Sequence, residues 1–293
     1  AATTISASAC TTIYVGGDLV EEGTPFVART EDYGSDYNKL WFISESGKWK
    51  QGDHYIGCPE YGPFEWDFTH DSYRFTYFTN DIYYDGICPE CGEKADHYSY
   101  TEFGTNEKGV SVSATETLYG NEKVTEADPY RDAEWAEANK SERIGIEETD
   151  IPTIILAGAS SAREGVKLLL DIYENYGCVA ASGVFVCDKD EVWYVENCSG
   201  TQYVAIKLNN NMIFLEPNMA VIGRVNLDDE NVIASKDLIA VAKKAGTFVG
   251  DEAKNIIDFR ASYARISEKM DQRMIDGLNY LNATYKYDSD ALV

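Results

Sequence analysis

The sequence has few positive charges for its length. Its 293 residues include 25 Lys and Arg but 50 Asp and Glu, which gives a formal net charge of −25 at pH 7. A surface this acidic repels the phosphates of nucleic acids and of anionic lipids, so neither class of partner is expected. The sequence also lacks an apolar run of roughly 18 residues, the length that a membrane-spanning helix needs.

Cysteine is scarce and widely scattered. An odd number of cysteines leaves at least one thiol without an intramolecular disulfide partner, and this chain is too long to be a small disulfide scaffold. Because hydrophobic residues make up 44% of the chain, a sizeable core can be buried. The seven cysteines are Cys10, Cys58, Cys88, Cys91, Cys178, Cys187 and Cys198.

The pattern of apolar residues predicts an α+β protein. Hairpins dominate the connections, so we expect antiparallel sheets with helices packed on their outer faces. Predicted strands cover 11–16, 25–30, 110–115, 183–187, 192–195, 203–207 and 212–215, with hairpins at 11–30, 183–195 and 203–215. Predicted helices cover 160–176, 235–245 and 262–280. Residues 50–100 are predicted to form a long irregular insertion, and residues 121–150 a loop with a short helix.

Cys10 follows a run of small residues, Ser6-Ala7-Ser8-Ala9. Such a run is typical of a processing site, which predicts that residues 1–9 are the tail of a signal sequence or a short propeptide. Cleavage between Ala9 and Cys10 would give Cys10 a free α-amine, whose pKa near 7.7–8.0 suits a base at neutral pH. Cys10 would then be an N-terminal nucleophile. The alternatives are an artificial N-terminal segment and a buried strand cysteine.

Arg29 and Asp32 lie where the second predicted strand ends. The hairpin would return them to the start of the first strand, beside Cys10. A guanidinium there favours the thiolate, and a carboxylate could orient the α-ammonium. Alternatively, the two residues form a surface ion pair worth only about 0–1 kcal/mol.

Five stretches, taken together with their order along the chain, resemble the dipeptidase A family of cysteine N-terminal nucleophile (Ntn) hydrolases. The resemblance extends over roughly residues 10–270 and implies the αββα sandwich of that superfamily, hydrolysis of dipeptides, and no cofactor requirement for catalysis. Bile salt hydrolases and penicillin V acylases are more distantly similar. The stretches are Cys10 to Gly16, Ala28 to Asp32, Asn106 to Thr117, Ser161 to Val166 and Asp188 to Glu196.

The resemblance also implies roles for individual residues. Cys10 matches the nucleophile, Arg29 the arginine that stabilises the thiolate, and Asp32 the carboxylate that orients the α-amine. Asn218 matches an asparagine of the oxyanion hole, although it also suits a turn after a strand. Arg265 matches a second arginine of the wider superfamily.

Glu116 ends the strand predicted at 110–115. Its carboxylate is a candidate to bind the free ammonium of a dipeptide substrate, and the alternative is an ordinary glutamate at a strand end. The acylase relatives carry a neutral polar residue at this place.

The insertion at 50–100 contains one C-x-x-C motif, Cys88-Pro89-Glu90-Cys91. Cys58 and His97 could complete a structural zinc site with these two cysteines, and His54 is a further candidate ligand. Disulfide formation in an exported chain is the alternative.

Together these features predict an exported bacterial cysteine dipeptidase, secreted or held at the cell surface, which acts on small peptides. Residues 10–293 would form its Ntn-hydrolase domain, and whether it associates as a homo-oligomer is left open. The alternatives are an N-acyl amide or bile-salt hydrolase of the same superfamily, and a non-catalytic module that binds a metal or a partner through the insertion.

Overall fold

A computed structural model describes residues 10–31, 38–57, 64–80, 101–115, 118–265 and 272–285. Its strands are β1 (Thr11–Val15), β2 (Phe26–Thr30), β3 (Lys39–Ser44), β4 (His54–Ile56), β5 (Glu65–Asp67), β6 (Phe75–Asn80), β7 (Phe103–Asn106), β8 (Ser111–Thr115), β9 (Ser182–Cys187), β10 (Val192–Asn197), β11 (Tyr203–Lys207), β12 (Ile213–Glu216), β13 (Arg224–Asn226), β14 (Val232–Ala234), β15 (Gly250–Asp251) and β16 (Ile256–Asp258).

The helices are α1 (Glu122–Ala127), α2 (Ala133–Asn139), α3 (Ile151–Gly158), α4 (Ala162–Asn175), α5 (Leu238–Ala245), α6 (Phe259–Tyr263) and α7 (Gln272–Tyr285). In the part of the chain that the structure describes, no helix is both long and apolar enough to cross a membrane.

Two antiparallel sheets form the centre of the molecule. The large sheet has eight strands in the order β14-β11-β10-β9-β8-β7-β6-β3, and the small sheet has three in the order β12-β1-β2. Their facing surfaces meet through aromatic rings of both sheets. The ring of Phe214 on the small sheet lies 4.8 Å from Tyr194 and 6.0 Å from Phe185 on the large sheet. These rings belong to a buried core that excludes water between the sheets.

Helices cover the outer face of each sheet. On the large sheet, α3 and α4 contact β8, β9 and β10, and Leu169 of α4 shares a buried core with Trp193 and Val195. On the small sheet, α7 packs against β12. Gly277 permits this close approach, because a Cβ atom there would lie 2.5 Å from Leu215. The layers therefore follow the αββα order, and the α+β prediction is confirmed.

Most of the predicted elements are confirmed. In α4, the residues at both ends of the helix are the signals that predict it. Ser161 caps the helix by accepting a hydrogen bond from the Glu164 N–H at 3.2 Å, and Glu164 accepts one from the Ser160 N–H at 2.8 Å. Gly177 follows the C-terminal end with a φ of 78°. A capping serine, a first-turn glutamate and a terminal glycine are the usual signals of a helix.

The predicted hairpin at 203–215 is wrong. Both of its strands exist, but β11 pairs with β10 and β14 in the large sheet, whereas β12 pairs with β1 in the small sheet. Both strands are buried almost throughout, so each requires a partner with an apolar surface. The connection between them passes from one sheet to the other.

Two further predictions need correction. The segment 50–100, predicted to be irregular, contains β4 and β5, and β6, a strand of the large sheet. Residues 58–63 and 81–100 lie outside the described residues. The single helix predicted at 262–280 corresponds to two helices, because α6 ends at Tyr263 and α7 begins at Gln272.

Candidate active site

The hairpin of β1 and β2 brings Cys10 and Arg29 to the same end of the small sheet. Cys10 immediately precedes β1 and is only 1% exposed. Arg29 pairs with Thr12 across the hairpin, and directly opposite residues of an antiparallel pair project to the same face. Thr12 is fully buried, so this face points into the space between the sheets.

The Arg29 guanidinium contacts the sulfur of Cys10. Its Nη2 donates a hydrogen bond to the Cys10 Sγ at 3.2 Å, and its Nη1 donates to the Glu102 carbonyl oxygen at 3.5 Å. Burial alone would lower the pKa of Arg29, but the charge and hydrogen bond of Cys10 outweigh burial and leave that pKa raised. A guanidinium on a sulfur favours the thiolate. The structure thus brings together the predicted pair of Cys10 and Arg29.

Two of the other described thiols are in environments that disfavour ionisation. Burial raises the pKa of Cys178, and burial together with Asp188 raises the pKa of Cys187 to about 11. Both are free cysteines that remain protonated at neutral pH. The contact with Arg29 distinguishes Cys10 from these two cysteines and makes it the candidate nucleophile.

A charged cluster lies next to Arg29. The Lys39 ammonium bonds both carboxylate oxygens of Glu102, at 2.5 and 2.6 Å, and also pairs with Glu31. Burial, together with Glu31, raises the pKa of Glu102 to about 8. Burial would also raise the pKa of Glu31, but hydrogen bonds with Glu102 and Lys39 outweigh it and leave that pKa lowered. This cluster cannot be recognised in the sequence, because its members come from separate segments and no local motif joins them.

Asn218 and Cys10 share a hydrogen-bond partner, Arg273. It follows β12 with a φ of 55°, a left-handed conformation that asparagine adopts more readily than most residues. Arg273 of α7 donates to the Asn218 Oδ1 at 3.4 Å and to the Pro217 carbonyl at 2.8 Å. The same guanidinium donates to the Cys10 carbonyl and to the Thr11 Oγ1, the latter at 2.9 Å.

The arginine predicted at 265 is not the one that the structure brings to Cys10. The guanidinium of Arg265 lies over the ring of Tyr119, 3.8 Å from its centroid, and the Arg265 N–H donates to the Tyr119 carbonyl. The guanidinium that contacts the Cys10 carbonyl is that of Arg273. The match of Arg265 to the second arginine of the superfamily stays a prediction.

A cleft with a volume of about 320 Å³ opens beside Arg29, between the small sheet and the large sheet. Arg29 and Glu31 are the charged residues of its wall. The rest of the wall is apolar or carries small hydroxyl and thiol groups: Val27, Phe103, Gly104, Thr105, Ser111, Val112, Ser113, Phe185 and Cys187. The cleft therefore offers a charged end next to the contact between Arg29 and Cys10, and a less polar end along β7, β8 and β9.

Several predicted site residues lie outside the described residues: Ala9, Asp32, Cys58, Cys88, Cys91, His97 and Glu116. Their predicted roles stay predictions. His54 is described, and its Nδ1 lies 2.8 Å from the Asp67 Oδ1 and its Nε2 lies 3.6 Å from the Glu65 Oε2. Within the described ranges, no group of three or more His, Cys, Asp and Glu side chains could hold a metal ion.

A family model, Peptidase family C69, matches residues 9–280 of the chain. The chain is 34% identical over 253 residues to a probable dipeptidase B of Streptococcus pyogenes serotype M3, which covers 84% of this chain and 44% of that protein. It is 32% identical over 262 residues to a probable dipeptidase of Salmonella dublin, with coverage of 88% and 53%. The chain spans about half the length of these curated relatives.

Two solved structures are similar at low sequence identity. Penicillin V acylase from Agrobacterium tumefaciens matches with a TM-score of 0.40 and 14% identity, over 71% of this chain and 49% of that one. A C2A mutant of conjugated bile acid hydrolase from Clostridium perfringens matches with a TM-score of 0.31 and 14% identity, over 83% and 59%.

Proposed function

The chain belongs to peptidase family C69, and on this premise we propose that it hydrolyses dipeptides with the Cys10 thiolate as its nucleophile. The observation that carries the proposal is the hydrogen bond from the Arg29 Nη2 to the Cys10 Sγ at 3.2 Å. The names of the relatives support dipeptides as the substrate class. The cleft beside Arg29 supplies room for a small substrate.

In the proposed reaction, the Cys10 thiolate attacks the peptide carbonyl carbon. A C–S bond forms, and the carbonyl π electrons move onto the oxygen. The Asn218 Nδ2 then donates a hydrogen bond to this oxyanion, because Arg273 donates to the Asn218 Oδ1 and so fixes which end of the amide is free. An amide donor of this kind contributes roughly 3–4 kcal/mol to transition-state stabilisation.

The α-amine of Cys10 carries the proton through both halves of the reaction. Collapse of the first intermediate breaks the C–N bond, and the leaving amine takes a proton from the α-ammonium. Water then adds to the thioester and gives a proton to the α-amine. The second collapse releases the carboxylic acid product and restores the thiolate. Asp32 is the predicted group that orients the α-ammonium, and Glu116 the predicted group that binds the substrate's ammonium.

This mechanism requires a free α-amine on Cys10, so we include removal of residues 1–9 in the proposal. The small residues before Cys10 support cleavage after Ala9. They equally support export, which would make the mature enzyme a secreted or cell-surface protein. We call the chain that begins at Cys10 the mature chain.

The test is dipeptide hydrolysis by the mature chain, with its N-terminus verified by intact mass. Cys10→Ala and Cys10→Ser should abolish turnover while circular dichroism shows an intact fold. Cys198→Ala, which removes a buried thiol of the core, is the matched control and should retain turnover. Retained turnover in folded Cys10→Ala would refute the nucleophile. Cleavage of N-acyl amides, with no cleavage of dipeptides, would instead favour an acylase.

A further inference from the structure

The segment that carries Asn218 is buried but has no regular secondary structure. Residues 217–222 connect β12 to β13, and Met219, Ala220 and Ile222 are each at most 1% exposed. Backbone N–H groups in a buried segment need hydrogen-bond acceptors, and this segment has no neighbouring strand to supply them. Its acceptors must therefore come from side chains or from distant backbone.

Glu196 supplies acceptors for two of these N–H groups. It projects from β10 in the large sheet and is 0% exposed. Its Oε1 accepts from the Val221 N–H at 2.6 Å, and its Oε2 accepts from the Ile222 N–H at 3.2 Å. The Glu196 carboxyl group thus holds the backbone that follows Asn218, and Arg273 holds the Pro217 carbonyl that precedes it.

A carboxyl group is energetically unfavourable at the buried position of Glu196. Burial of an acid in an apolar core costs free energy that a leucine would not incur, and Glu196 has a second buried acid, Glu216, near it. The hydrogen bonds to Val221 and Ile222 are what a leucine could not provide. These bonds hold the backbone three and four residues after Asn218.

We propose that Glu196 is a positioning residue, which holds residues 217–222 so that the Asn218 amide points at the developing oxyanion. This inference rests on the proposed function, because it assigns Glu196 a part in the same acyl transfer. Glu196 touches neither the substrate nor the Cys10 sulfur in this role. It acts only through the backbone that carries Asn218.

The proposal is tested by a double-mutant cycle on the mature chain with a dipeptide substrate. Glu196→Leu should lower kcat roughly 10- to 100-fold and change KM less than about threefold, because an oxyanion contact acts in the transition state. In an Asn218→Ala background the same substitution should lower kcat less than about threefold, because the contact that it disturbs is already absent. A merely structural role would lower kcat equally in both backgrounds.

Glu196→Gln is the conservative variant. Its single carbonyl oxygen can still accept from the Val221 N–H, so its kcat should lie between those of the wild type and Glu196→Leu. If Glu196→Leu does not fold, the double-mutant cycle can be run with Glu196→Gln and Asn218→Ala instead. Leu169→Ala, in the core on the other face of the large sheet, is the stability control. It should lower Tm without lowering kcat.

Each outcome separates the two proposals. If the wild-type mature chain cleaves no dipeptide, the proposed function fails and this inference fails with it. If dipeptides are cleaved but the effects of Glu196 and Asn218 substitutions multiply independently, only the role of Glu196 is overturned. An unchanged kcat in folded Glu196→Leu would overturn it as well.

Discussion

At the scale of single residues, the chemistry of Cys10 depends on the cation that contacts its sulfur. The thiol is nearly excluded from solvent, and a buried thiol without a cation resists ionisation, as Cys187 shows. The Arg29 Nη2 donates a hydrogen bond to this sulfur at 3.2 Å, and a neighbouring guanidinium favours a thiolate. The same arginine anchors itself on the Glu102 carbonyl, so its position is defined by two partners.

Replacing Arg29 should therefore weaken the nucleophile. We expect Arg29→Met to lower kcat/KM by roughly 10²- to 10³-fold, the size of effect found when a key electrostatic contact is removed from an active site. Because the thiolate is less favoured, the acid limb of the pH profile should also move to higher pH. Arg29→Lys keeps the charge but loses the planar fork, so its loss should be smaller. An Arg29→Met profile that superimposes on that of the wild type would contradict this role.

The acid Glu196 makes the stability of the fold depend on pH. Burial, together with nearby Glu216, raises the pKa of Glu196 to about 8. The folded state holds this proton more tightly than the unfolded chain, so the contribution to stability is complete below the unfolded pKa. It is lost as the pH rises toward about 8, at no more than about 1.4 kcal/mol per pH unit.

Urea unfolding at a series of pH values checks this sign. The free energy of unfolding of the wild type should fall between about pH 4.5 and pH 8, and Glu196→Gln should show a shallower fall because its amide does not titrate. Some slope should remain in the variant, since Glu102 also has a raised pKa. Equal slopes in the two proteins would mean that Glu196 has no raised pKa in the fold.

At the scale of elements, α4 offers a direct test of how the local sequence forms the fold. Ser161→Ala removes the acceptor of the Glu164 N–H and should cost about 1 kcal/mol of stability. Ser161→Asp keeps an acceptor at the same position and should retain most of that stability. Thermal unfolding of the three proteins gives the comparison. Because α4 packs on the face of the large sheet opposite the small sheet, neither substitution should change kcat. If Ser161→Asp lost as much stability as Ser161→Ala, capping would be excluded as the cause.

The elements also show which parts of the fold are readable from sequence. The hairpin of β1 and β2 and the helix α4 carry local signals, and both were predicted. The helix α3 was not predicted, because residues 151–157 are all buried. An apolar run without a polar face has no periodicity that distinguishes a helix from a strand.

Pairing between distant segments was the least readable property. The sequence predicts strands at 203–207 and 212–215, but it does not show that they belong to two different sheets. Short turn residues between two apolar runs indicate a hairpin, yet the burial of each run decides its partner. The same limitation applies to the site: Cys10 and Arg29 lie on one hairpin and were predicted together, whereas Arg273 and Glu196 reach the site through tertiary packing alone.

At the scale of the whole molecule, the proposal makes residues 1–9 the control of activity. With Ala9 attached, the Cys10 nitrogen is an amide and cannot act as a base. We therefore expect a preparation whose intact mass includes residues 1–9 to be inactive toward dipeptides, and to gain activity as the mass falls to that of the mature chain. Full activity of the longer form would contradict the role of the α-amine. A Cys10→Ala protein that still loses residues 1–9 would show that another protease removes them.

Because the chain passes from β11 in the large sheet to β12 in the small sheet, the strands of the small sheet are synthesised at widely separated times. The hairpin of β1 and β2 leaves the ribosome early, but its third partner, β12, follows only after most of the large sheet. Arg273, which holds Asn218 beside Cys10, lies 263 residues after Cys10 in the chain. Contacts so distant in sequence form late in folding. Under the proposed function, the nascent chain therefore carries Cys10 long before it can assemble the proposed oxyanion contact, which requires that Arg273 has been translated.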